Sequence, residues 1–319
     1  MTAPETIYAF RWLIWDTFRQ SLANRIFWLM LGVSALVIAV CLSVSVEGGE
    51  SLLPPGEELE LQPAHGHISL GFGAFPVALF RDGQAAVHFL LMLLAEWVAG
   101  AGGVLLALSW TAGFLPGFLE PRAATVLLAK PVPRWALLAG KFLGVLALVG
   151  LQLTIFIGGT WMALGLRTGF WVSSYLLGIP VVLIHFAAFF SFSTLLAVVT
   201  RSTLACILGS ILFWFMCWGA NDGRHFLVAL PYLDPSSPPM PAAFTGLANL
   251  GYWILPKPVD MGMILHRALD TSQSFRTFPE LEKVMEVGAV DFGLSVLSSL
   301  AFSVVTLALA ARQLAKSEY

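Results

Sequence analysis

Phe27 to Val46 is a run of twenty residues without a single charge. At about 1.5 Å per helical residue, such a run crosses the ~30 Å hydrocarbon core of a bilayer. Comparable apolar runs lie at 86–111, 142–166, 172–200 and 292–311, and a shorter one at 204–219 sits at the lower limit for spanning. Six spans leave little chain for a separate soluble domain. Only 11% of the residues are charged, whereas a soluble domain carries about 25%. The chain reads as an all-α integral membrane protein, a single transmembrane domain over residues 1–319.

The N-terminal arm has a different pattern. Thr2-Ala-Pro-Glu5 is a capping box with proline in the first turn. Ile7, Phe10, Ile14 and Phe18 then recur at helical spacing, with Trp12 and Trp15 suited to the headgroup level. Residues 5–23 are expected to form an amphipathic interfacial helix. They do not read as a signal peptide, because an uncleaved span follows and no small-residue cleavage site is suitably placed.

Two long segments face the side opposite the termini. Residues 47–84 carry Glu47, Glu50, Glu57, Glu58 and Glu60, then His65-Gly-His67. Residues 220–290 begin with a proline-rich stretch. Ala242 to Leu255 is apolar but too short to span, and is expected to be re-entrant or interfacial. Val259 to Asp270 and Pro279 to Val287 read as short amphipathic helices, so that the segment packs as a small outer cap.

Ten basic residues lie near span ends on the side of the termini: Arg11, Arg19, Arg25, Arg122, Lys130, Arg134, Lys141, Arg201, Arg312 and Lys316. The opposite short connections hold Arg81 and Arg167. This bias places both termini, and the loop between spans two and three, in the cytoplasm, with the chain in the cytoplasmic (inner) membrane. A formal net charge of -2 gives no case for nucleic acid. Cys41, Cys206 and Cys217 are dispersed, which excludes a disulfide framework and a CxxC metal site. No metal ligand set and no cofactor site is expected. His65 and His67 supply two ligands, which do not make a site.

Glu96 is the one carboxylate well inside a span. A charge there is costly in hydrocarbon, ~2.5–3.5 kcal/mol on insertion scales, so it should face the bundle or a wet cavity. Two readings stand: a translocation path or proton site shared with His185 of span four, or a structural link between helices. Gly100, Gly102, Gly103, Gly158 and Gly159 read as small surfaces for close helix approach. Gly178-Ile-Pro180 is expected to mark a kink in span four or a backbone whose freed groups are satisfied again.

The loop of residues 112–141 is the most specific signal. It runs FLEPRAATVLLAKPVPRWALLAGK from Phe118 to Lys141, basic overall and broken by Pro131 and Pro133. Gly140-Lys141-Phe142 lacks the Ser/Thr of a phosphate-binding loop, and no GxGxxG, HExxH or GxSxG occurs. In order come Glu120, Ala124-Thr125, Leu127-Leu128, Lys130-Pro131-Val132, Arg134 and Gly140-Lys141. This series resembles the cytoplasmic loop between spans two and three in permease subunits of ATP-binding-cassette exporters of the type-2 permease family.

The resemblance implies that the loop forms a coupling helix seated in a cleft of a separate ATPase subunit. Glu120, Thr125, Leu127, Leu128, Lys130, Pro131, Arg134 and Lys141 would be its contact segment. Leu127 and Leu128 would fill an apolar slot while Lys130 and Arg134 meet acidic groups at its rim. It also implies two ATPase copies binding ATP and Mg²⁺, a second permease chain forming a homodimer, and outward transport, with no catalysis in this chain. Two other readings remain at this point: a proton-coupled secondary transporter using Glu96 and His185, and a membrane scaffold whose outer cap binds partners.

Overall fold

The computed structural model describes residues 3–47, 66–71, 75–79, 83–118, 133–236, 238, 240–269 and 278–316. Among the described residues, six helical stretches are long and apolar enough to cross a membrane: Arg25–Leu42, Ala86–Gly117, Arg134–Thr168, Ser173–Thr200, Thr203–Leu233 and Phe292–Lys316. The protein is an all-α integral membrane protein.

Helix α1 (Ala3–Leu22) precedes the first span, α2 (Arg25–Leu42). The turn between them is short because Asn24 caps α2, its side chain accepting from Ile26 N at 2.9 Å. The indole N–H of Trp28 donates back to Leu22 O at 2.9 Å, which ties the two helices together. Trp12 and Trp15 are exposed while Thr17 and Ser21, one turn apart, are wholly buried. The face of α1 that meets the bundle is therefore its small polar one. It packs along the third span.

After α2 the chain forms a three-stranded antiparallel sheet, β1 (Ser45–Glu47), β2 (Gly66–Leu70) and β3 (Phe75–Leu79), in the order β1-β2-β3. Val46 pairs with Ile68, and Ile68 with Val77. Within the outer segment 47–84, residues 66–70 and 75–79 are thus strands, and the three strands supply one another's backbone partners.

Span two is built in pieces: α3 (Gly83–Leu93), a π-helical segment (Leu94–Gly103), α4 (Val104–Thr111) and α5 (Phe114–Phe118). A Cβ added at Gly100 would lie 3.1 Å from Ala95 O, and one at Gly103 would lie 3.1 Å from Val98 O. These glycines thus answer to the span's own backbone, carbonyls five residues back, and not to a neighbouring helix. The packing expectation does hold at Gly159, where an added Cβ would collide with Ile38 of span one.

Span three, α6 (Arg134–Thr168), has 35 residues, about 52 Å at ~1.5 Å per residue. Its first two turns occupy sequence expected to be loop. It ends on Gly169, whose φ of 78° closes the last turn in the left-handed region. In span four, a 3₁₀ turn (Ser173–Leu177) leads into α7 (Gly178–Thr200). Pro180 therefore falls in the first turn of α7, where a missing N–H costs nothing, and not at a mid-span kink.

Span five, α8 (Thr203–Leu233), has 31 residues and not the short span expected. Asn221, Arg224 and His225 break the hydropathy there but not the helix, because the cap satisfies them. The cap consists of α9 (Ala242–Ile254), α10 (Pro258–Ala268) and α11 (Pro279–Glu286), and the last span is α12 (Phe292–Lys316).

Span four is the centre of the bundle, with 67% of its most apolar stretch buried against 22% for span one. Phe190 of span four stacks on Phe142 and on Phe186, each at 5.3 Å between ring centroids. One end of the bundle carries the sheet and α9–α11 (the cap end). The other carries α1, α5 and the last turn of α12 (the terminal end).

Candidate functional site

A cavity of about 530 Å³ lies between spans two, four and five and the cap helices α10 and α11. Glu96 enters it from the first turn of the π segment. Its Oε2 accepts a hydrogen bond from His266 Nε2 at 2.6 Å. Four residues before His266 on α10, Gly262 makes room for the carboxylate: a Cβ there would sit 2.7 Å from Glu96 Oε1. A larger residue there would push the Glu96 carboxylate out of this position. His185 lines the same cavity, and its Nε2 accepts the indole N–H of Trp214 at 3.0 Å. An indole nitrogen only donates, so the His185 proton sits on Nδ1 and the ring is neutral.

The structure therefore brings Glu96 and His185 to one cavity but gives each a different partner. His266 lies 170 residues from Glu96, too far along the chain for a local pattern to pair them. Its only local signal was a histidine on the apolar side of a short amphipathic helix.

Beside the cavity, the cap holds a buried polar cluster centred on Asp260, which is 0% exposed. Asp260 Oδ1 accepts from His225 Nε2 at 2.7 Å and from Asn221 Nδ2 at 3.0 Å. Its Oδ2 accepts the Tyr252 hydroxyl at 2.6 Å and the Ser295 hydroxyl. Asn221 Oδ1 in turn accepts the backbone N–H groups of Val259 and Asp260 at 3.0 and 3.3 Å, which caps the start of α10. Burial alone would raise the Asp260 pKa, but the hydrogen bond and charge of His225, with the two hydroxyls, outweigh it and hold the carboxyl below its ordinary value.

Lys257 is buried over the Tyr252 ring at 4.7 Å, and burial lowers its pKa to about 8 despite the attraction of Asp260. Asn221 and His225, four apart on α8, share one helix face, and that spacing was the legible sign of this cluster.

At the terminal end, Lys141 Nζ reaches Asp16 Oδ2 of α1 at 2.8 Å and Gln20 Oε1 at 3.0 Å. The lysine side chain is 2% exposed and the aspartate 31%. One turn on, Gly144 lets α1 approach, since a Cβ there would lie 2.9 Å from Thr17 Oγ1. Arg134 donates to Leu314 O at 3.0 Å and Ala315 O at 3.4 Å, joining the start of α6 to the end of α12. These two members of the expected coupling segment are thus seated within the chain. Glu120, Thr125, Leu127, Leu128, Lys130 and Pro131 lie outside the described residues, as does His65. Among the described residues, no group of three or more His, Cys, Asp or Glu side chains forms a metal site.

The sequence profile described as ABC-2 family transporter protein matches residues 11–317, almost the whole chain. The chain belongs to the ABC-2 transporter family. No curated protein matches it. As an ABC-2 family protein it is a multi-pass membrane component of an ABC transporter, a permease subunit that works with an ABC ATPase partner. Its six spans are the membrane part that such a subunit requires.

Proposed function

We propose that this ABC-2 protein is the permease half of an exporter, pairing with a second copy of itself and with two ATPase chains in the cytoplasmic membrane. ATP and Mg²⁺ are bound by the ATPases, and the loop of residues 112–141 is their handle, with the terminal end facing the cytoplasm. The observation that carries this reading is the bracing at that end. The loop leaves α5 at Phe118 and returns at Arg134, where Lys141 holds α1 and Arg134 holds the end of α12. Because α6 is tied to α1 and to the end of α12 where the loop returns, a push on the loop is passed along α6 into the bundle. The cavity containing Glu96 and His185 is part of the path that the push opens.

Because Arg134 also binds its own chain, the decisive variant leaves it in place. Leu128→Asp with Lys130→Glu is expected to abolish co-purification of the ATPase while the permease remains monodisperse in detergent. An undiminished ATPase yield would refute the coupling role.

A further inference from the structure

The permease reading leaves open what the cavity takes, and its lining is chemically one-sided. Two carboxylates, Glu96 and Asp222, face it, and no lysine or arginine does among the described residues. Among the described residues, the arginines nearest in sequence to the lining are engaged elsewhere. Arg224 donates to Asn249 Oδ1 and Ala289 O and lies over the Tyr252 ring, while Arg267 lies over the Phe292 ring.

His266 is the one lining group placed to neutralise an acid, and His185 cannot take a second proton while its Nε2 accepts from Trp214. Among the described lining residues, two carboxylates stand against at most one imidazolium, an excess of acid. Asp222 has no hydrogen bond or ion pair among the described residues. Its charge is left for something else to meet.

The rest of the lining is apolar and aromatic. Trp214 stands beside His185, and Trp97, Trp218 and Phe278 are on the exposed rim. Indole faces attract cations, most strongly where water is excluded. The volume lies within the ~300–1,000 Å³ of sites for drug-sized molecules. An anion would meet uncompensated carboxylates, and a small hydrated metal ion would leave the aromatic walls unused.

We infer that the cavity binds an apolar organic cation, its charge between Glu96 and Asp222 and its apolar groups against the tryptophans. The inference rests on the permease reading and gives that reading a substrate class. The lining residues named all belong to one chain.

The test uses the full-length protein in nanodiscs and two ions matched in shape and opposite in charge, tetraphenylphosphonium and tetraphenylborate. Radiolabelled tetraphenylphosphonium is expected to bind saturably above empty-disc background, with no competition from tetraphenylborate. Glu96→Gln with Asp222→Asn should weaken binding roughly tenfold or more. Asp222→Asn alone, which removes no hydrogen bond seen among the described residues, should weaken it severalfold and keeps the test decisive if the double variant misfolds.

Absence of saturable binding, equal competition by the borate, or unchanged affinity in folded acid variants would each overturn the inference. The partner ATPase is scored in the same preparations. ATPase retained without cation binding overturns the cavity claim and leaves the permease reading standing. Charge-selective binding without an ATPase supports the cavity and overturns the permease reading.

Discussion

The two ends of the bundle each bury a charge, and they do so differently. At the cap end, Asp260 is fully enclosed and both carboxylate oxygens are satisfied, by four side chains from α8, α9 and α12. At the terminal end, Lys141 is enclosed but its partner Asp16 remains 31% exposed on α1. A buried charge is tolerated only where its hydrogen-bond capacity is filled. The cap does this with a network that cannot lose one member without stranding the others. The terminal end does it with one ion pair and one amide, open to solvent on one side. The cap is therefore built as a fixed element, and the seat of α1 as one that can be displaced at modest cost.

The sharpest way to break this contrast is Asp260→Ala. It leaves His225, Asn221, Tyr252 and Ser295 without their acceptor and is expected to destabilise the protein by about 3–5 kcal/mol, read as thermal unfolding in detergent. The effect has a pH signature. Because the folded carboxyl titrates below its unfolded value, the stability it contributes is present above about pH 4 and lost as pH falls through the folded pKa. Wild type and variant should therefore converge in acid.

Next in size is Gly144→Val. It forces α1 away from α6 at Thr17 and should cost about 1–3 kcal/mol, with α1 becoming the first site of limited proteolysis. Lys141→Met is milder, about 1 kcal/mol, because the exposure of Asp16 weakens the pair through solvent screening. A double-mutant cycle with Asp16→Asn should return a coupling of that order. A coupling as large as the Asp260 effect would erase the distinction between the two ends.

Lys257 adds an effect that is read through pH. Its folded pKa of about 8 lies below the ordinary lysine value of 10.5, so the folded state binds fewer protons in between. Stability should rise from pH 8 to 10, by up to about 2 kcal/mol, and the slope should vanish in Lys257→Met.

How much of this was legible depended on range. The spans, α1 and the short cap helices announce themselves through local periodicity, because a helix satisfies its own backbone and only its apolar face needs a neighbour. The length of α8 did not. Asn221 and His225 look like the end of a span until Asp260, 35 residues or more away, is seen to receive them. The π segment had no signature either, since glycine at 100 and 103 serves close helix packing equally well in a linear reading. Glu96 was legible as a residue in need of a partner. Which partner was decided by α10, folded back over the span from far along the chain. Most of the residues that carry the loop's resemblance lie outside the described part, and the family match spans them without assigning them a role.

The two arms that hold the loop differ in stiffness. On one side is α6, an unbroken α-helix from Arg134 to Thr168 with no proline in it. On the other is span two, interrupted by ten residues of wider π turns. A force applied to the loop meets a rod on one arm and a compliant coil on the other, and deformation concentrates in the softer member. The first turn of that coil carries Glu96, so under the coupling role proposed above a load on the loop would be delivered as a displacement at the cavity wall.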